Sequence, residues 1–113
     1  MKIRSFEEFW PYYLGQHREP GTRVLHFIGT GLGILSLLTA LFTLNIYYVV
    51  IAPIVGYGLA WYSHAFIEKN RPATLSHPLW SLQGDFRLFL LMLTRGFDTR
   101  ETLMPKILPR QRR

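Results

Sequence analysis

VLHFIGTGLGILSLLTALFTLNIYYVVIAPIVGYGLAWYSHAFI, residues Val24–Ile67, contains no Asp, Glu, Lys or Arg, in a chain of which 18% is charged. An α-helix rises about 1.5 Å per residue and the bilayer hydrocarbon is about 30 Å thick, so these 44 residues suffice for two spans and a turn. His26 stands just inside the start of the block and His64 just inside its end, each 19 residues from Asn45. A helical hairpin turning near Asn45 returns both imidazoles to one membrane face at one depth. His17 and His77 flank the block, so the four histidines of the chain are expected at that face, as a tertiary metal site.

Working outward, the pattern predicts an all-α fold: a small integral membrane helical bundle, residues 1–113 forming a single membrane domain. Ser5 followed by Glu8 is a capping-box pattern, and Phe6, Phe9, Trp10, Tyr13 and His17 keep helical spacing, which predicts an amphipathic helix over 5–17. Its aromatic side chains suit the membrane interface. Pro20-Gly21 breaks the chain before a first span over 22–44, and a second follows over 46–67. Gly29, Gly31 and Gly33 on the first span and Gly56, Gly58 and Ala60 on the second are small residues that let the helices approach closely. GTGLG lacks the spacing and the βαβ context of a dinucleotide loop. A third apolar helix is expected over 79–94, lying on or dipping into the histidine face, with pairing against the N-terminal helix as a partial span the alternative. Residues 99–113 form a basic tail suited to anionic headgroups.

The net charge of +6 does not indicate nucleic acid. All 13 Lys and Arg lie outside the apolar block and none is near Asn45, the distribution of the positive-inside rule. The partner is expected to be a lipid bilayer. The histidine face and both termini are expected to be cytoplasmic, in the inner membrane of a bacterium or the endoplasmic reticulum membrane of a eukaryote. The N-terminus is too polar for a cleavable signal peptide, so the apolar segments are expected to remain. The absence of cysteine excludes disulfides, thiolate ligands and Cys nucleophiles.

Neutral imidazole suits iron, zinc, copper or nickel. HExxH and the histidine boxes of membrane desaturases are absent. Glu68, Asn70 and Asp85 are candidates to orient the imidazoles, and Ser63 is a further hydrogen-bonding candidate. Arg18, Arg23 and Arg71 are candidates to receive a substrate carboxylate in a bidentate pair. A metal site at the mouth of a glycine-lined hairpin suggests a lipid substrate, its head at the metal and its chain along the apolar helices. Oligomeric state is not set by any of these features.

Two long stretches, FWPYYLGQHREPGTRVLHFIGTG at 9–31 and YGLAWYSHAFIEKNRPATLSHPLWSLQGDFRLF at 57–89, together with the order of the four histidines, resemble the 2-hydroxy fatty acid dioxygenase family. The short loops suggest a compact bacterial member. The resemblance implies an Fe(II)-dependent membrane enzyme that converts a 2-hydroxy long-chain fatty acid and O₂ to the fatty acid one carbon shorter, CO₂ and water. The substrate supplies all four electrons, so the resemblance implies no organic cofactor. It also maps the essential histidines to His17, His26, His64 and His77. Two other readings stay open on the residues alone. One is a different histidine metalloenzyme, such as a zinc-dependent lipid hydrolase. The other is a non-catalytic hairpin that binds lipid or a partner protein.

Overall fold

The computed structural model describes residues 3–96, so the basic tail expected over 99–113 lies outside the described residues. Every regular element among them is helical: α1 (Phe6–Gly15), α2 (Pro20–Thr43), α3 (Tyr47–Ser63) and α4 (Pro78–Arg95). A short π-helical segment, His64–Glu68, continues α3, and a single 3-10 turn, Ala73–Leu75, precedes α4.

The ends of these helices follow from local chemistry. Ser5 caps α1, its hydroxyl accepting from the Glu8 amide at 3.2 Å. Glu8 reaches back one residue further than the usual capping box, to the Arg4 amide at 2.9 Å. Pro20 opens α2 at the first helical position, where its missing N–H would have been unsatisfied anyway. The hairpin turns where the equal spacing of the histidines places it. Leu44 ends α2 in the left-handed conformation at φ 56°, and the Asn45 side-chain oxygen accepts from the Tyr47 amide at 3.0 Å.

The two hairpin helices approach through their glycines. A Cβ on Gly29 would stand 3.1 Å from the Gly56 carbonyl oxygen, so this crossing leaves room for hydrogen alone. Gly33, one turn on, faces the Ala52 carbonyl. Gly31 points elsewhere, to the Phe89 ring of α4, which stacks on Phe27 at 4.8 Å. Alternate glycines of α2 therefore serve different neighbours. Gly58, expected at the same interface, meets nothing within 4 Å.

Pro20–Thr43 and the continuous Tyr47–Glu68 stretch are each long and apolar enough to cross a membrane. Only 11% and 22% of their most apolar windows are buried, unlike the core helix of a soluble protein. Near the turn, Phe42 is 84% and Ile54 65% exposed. The buried apolar core lies elsewhere. Phe9, Trp10, Tyr13 and Leu14 of α1 pack with Leu88 and Met92 of α4. The aromatic residues expected at the membrane interface are therefore inside, because α4 lies against α1 and covers their stripe. Of the two placements open for the third apolar helix, the structure takes the pairing with α1. It also packs α4 along the histidine-bearing half of α2.

Candidate metal centre

Three helix ends converge at the end of the bundle opposite the turn. His17 follows α1, His26 lies two turns into α2, and His64 begins the π-helical segment. All three side chains are buried, and one ring nitrogen from each lies within 4.8 Å of the others. Ring centroids are 4.3 Å apart for His17–His26, 4.7 Å for His17–His64 and 5.1 Å for His26–His64, each pair nearly perpendicular.

The remaining nitrogen of each ring is held by an oxygen. His17 Nδ1 lies 2.6 Å from the Tyr13 carbonyl and His26 Nδ1 2.9 Å from the Thr22 carbonyl. His64 Nδ1 lies 2.6 Å from Asn70 Oδ1. A carbonyl oxygen only accepts, so Nδ1 of each ring donates and Nε2 carries the lone pair. The Asn70 orientation is consistent, since its Nδ2 donates to the Gln16 carbonyl at 3.3 Å.

Two bare Nε2 atoms, those of His17 and His26, then face each other at 3.0 Å. Two lone pairs at that distance repel unless a cation is shared between them. A second proton is a poor cation here, because burial holds the His17 imidazole well below its ordinary pKa, the neighbouring His26 and His64 adding to the effect. The His17–His26 spacing suits a shared metal ion, and His64 offers a third ring nitrogen within 4.8 Å of the other two. Nδ1–H donated to an oxygen with Nε2 left for the metal is the usual arrangement of a histidine ligand.

The π-helical turn explains how His64 acquires its partner. Segments of this kind occur mostly within α-helices and frequently at functional sites. Here the widened turn ends on Lys69 in the left-handed conformation at φ 61°, and the Asn70 amide returns to the His64 carbonyl at 3.0 Å. The chain folds back over His64 and delivers the Asn70 side chain to its ring. Asn70→Ala is expected to weaken metal binding about 10- to 100-fold, the usual effect of removing a residue that orients a ligand. Titration with Co(II) measures it, and affinity equal to the parent's would remove Asn70 from this role.

The other expected residues fall in different places. Glu68 is buried, and its Oε2 accepts from the Glu19 amide at 2.6 Å, tying the π segment to the start of α2. The Arg23 guanidinium is buried, with Nη1 donating to the Arg18 carbonyl at 2.8 Å and the His17 carbonyl at 3.2 Å. Arg71 is exposed and Arg18 half-exposed, both near the histidines in sequence. Ser63 Oγ lies 3.3 Å from His26 Nδ1. Asp85 accepts from the Tyr13 hydroxyl at 2.5 Å, and burial raises its carboxyl to about 7 despite that bond.

His77 is not brought into this group. Extended backbone at Pro72 and the turn Ala73–Leu75 carry the chain across α1 instead of back to His64. The His77 ring stacks on Trp80 at 5.7 Å and packs against Phe9 at 5.5 Å, with Nδ1 2.8 Å from Ser76 Oγ. Its position beside the apolar block says nothing about lateral placement, which its packing against Phe9 and Trp80 decides.

Tyr13, expected as an interfacial aromatic, and Gln16, which no sequence pattern singles out, both stand at the site. The Tyr13 ring stacks on His17 at 4.0 Å, and its spacing of four residues from His17 is the signal that could have found it. Gln16, fully buried, donates to the Arg71 carbonyl at 3.0 Å while its own carbonyl receives Asn70. It joins the end of α1 to the loop that serves His64. No spacing in the sequence marks that contact.

Beside His26 a cavity of about 280 Å³ opens between α2, α3 and α4, with Asp85 in its wall. No curated protein and no solved structure matches the chain. The sequence model of the 2-hydroxy-palmitic acid dioxygenase Mpo1-like family matches residues 3–97, and the chain belongs to this family.

Proposed function

We propose that His17, His26 and His64 bind Fe(II) and that the protein is a membrane dioxygenase cleaving a 2-hydroxy long-chain fatty acid with O₂ to the acid one carbon shorter. The observation that carries this reading is the convergence of three neutral, Nδ1-anchored imidazoles, one of which, His26, also lines a mostly apolar cavity. The family's name supplies the substrate class and the use of O₂. When bound, the iron would supply Lewis-acid and redox chemistry to the substrate's C1–C2 bond.

The chain's own part is to bind and orient. Three neutral ligands leave a divalent charge uncompensated, which favours an anionic carboxylate and an adjacent hydroxyl. The buried Arg23 guanidinium adds positive charge beside His17. Tyr13 holds His17 from its carbonyl and its ring face, and burial first, then the adjacent Asp85, keeps its phenol protonated. Apolar walls at the cavity restrict water around the reacting end.

The same reading places the α2–α3 hairpin across a bilayer. An exposed apolar surface this extensive is covered by lipid more readily than by water. Arg18, Arg23, Lys69 and Arg71 lie near the histidines in the chain, a charge distribution that favours the cytoplasmic side for that end.

Mass spectrometry of products tests the reading directly. Purified protein incubated with 2-hydroxypalmitate, Fe(II) and air is expected to release pentadecanoic acid, and to release none without iron or without O₂. Folded, iron-loaded protein that yields no shortened acid would sink the dioxygenase reading. Hydrolysis of an ester lipid with zinc but no O₂ would put a hydrolase in its place.

A further inference from the structure

The cavity has a direction. His26 lines it at the metal-site end, Thr30, Tyr57 and Asp85 add polar groups along the wall, and Ile34 and Leu37 line it further along α2. From His26 to Leu37 is eleven residues of α2, about 16 Å at 1.5 Å per residue. Beyond Leu37 the next buried residue of α2 is Ala40, and the Ser36 Oγ donation to the Tyr48 carbonyl at 2.7 Å ties the helices together beside the far end of the groove.

The volume is small for its length. At about 280 Å³ it lies at the lower edge of the roughly 300–1,000 Å³ usual for small-molecule pockets. Sixteen ångströms of such a groove suits a single alkyl chain and leaves no room for a second tail or a fused-ring lipid. Its lining is mostly small and apolar, with Gly33 of α2 and Ala52, Pro53 and Gly56 of α3 along the seam of the hairpin.

We infer that this groove is a ruler for the acyl chain, in which Ile34 narrows the middle and Leu37 marks the far end. The inference rests on the three-histidine reading, which fixes the reacting carboxyl end beside His26. Ile34 is half-buried on the wall, eight residues from His26, and Leu37 is 45% exposed where the groove meets the hairpin surface. Neither touches a histidine in the contacts described above. In a bilayer the alternative to the groove is lipid hydrocarbon, not water. Selection by length therefore comes from fit against these side chains and not from hydrophobicity alone.

The test compares 2-hydroxyoctanoate with 2-hydroxypalmitate on the iron-loaded full-length chain in detergent. Turnover is measured in air and equilibrium binding without O₂. Ile34→Trp is expected to leave the short acid unchanged and to weaken the long one about 10-fold, the scale on which a hydrophobic pocket discriminates. Leu37→Ala is expected to shift preference the other way, toward acids longer than palmitate. Metal content of each variant shows whether the site is intact, and Leu37→Ala decides alone if the tryptophan disrupts it. Equal effects on both acids, or none, in variants that hold metal would overturn the ruler while leaving the enzyme reading standing. A parent protein that binds neither acid would overturn both.

Discussion

His26→Ala is expected to abolish metal binding and to lower turnover of a 2-hydroxy fatty acid by more than about 100-fold, beyond the usual loss from removing a ligand's orienting partner. His26 Nε2 stands 3.0 Å from His17 Nε2, so the two share whatever cation occupies the site. Alanine leaves two imidazoles, too few for a facial set. It also removes the lone-pair opposition between the two rings, so the metal-free variant should fold at least as well as the metal-free parent, apart from the small cavity. Thermal melts separate the two effects. With metal at a hundred times its dissociation constant, binding to the folded state alone stabilises the parent by about 2.7 kcal/mol. His26→Ala should show no metal-dependent shift. A full shift in the variant would remove His26 from the metal set. His77→Ala is the informative contrast. Its ring stacks on Trp80 and touches Phe9, so its loss should cost about 0.5–1.5 kcal/mol of aromatic packing while leaving the metal shift in place.

That contrast marks how far one-dimensional reasoning reaches. The charge-free block foretold two long apolar helices, and the equal distances from Asn45 brought His26 and His64 to one end. Both conclusions depend only on helical rise, which sequence gives directly. Depth is all that such an argument yields. It grouped His77 with the other three, whereas the ring packs against Phe9 and Trp80. The burial of Trp10 and Tyr13 escaped it for a related reason. An aromatic stripe looks the same whether lipid headgroups or another helix covers it, and here α4 does. The widened turn at His64–Glu68 left no trace in the sequence, because it arises from the chain folding back to Asn70, a matter of tertiary closure. Yet the residues it joins, His64, Glu68 and Asn70, were already visible as a group.

Gly84 tests whether α4 is only a cover or part of the metal site. Alanine in place of glycine within a helix ordinarily stabilises by about 1 kcal/mol, since glycine loses more backbone freedom on folding. At Gly84 the sign should reverse. A Cβ there would lie 2.9 Å from Tyr13 Cδ2 and 3.0 Å from Cε2, closer than carbon atoms tolerate. The ring cannot swing aside, because its face stacks on His17 at 4.0 Å and its hydroxyl is bonded to Asp85, the residue after Gly84. Gly84→Ala must therefore push α4 from α1 or drive Tyr13 against His17. Such overpacking costs about 1–3 kcal/mol. Melting in detergent should show a net loss, and Co(II) titration should show weakened binding, although Gly84 touches no histidine in any described contact. Gly58→Ala supplies the control, since nothing lies within 4 Å of its added methyl and the ordinary gain should appear. If both alanines stabilise alike, α1 and α4 are not packed as described. If Gly84→Ala lowers stability but leaves metal affinity untouched, Tyr13 is only a packing residue. A joint loss would show that the first and last helices hold His17 in place for the metal.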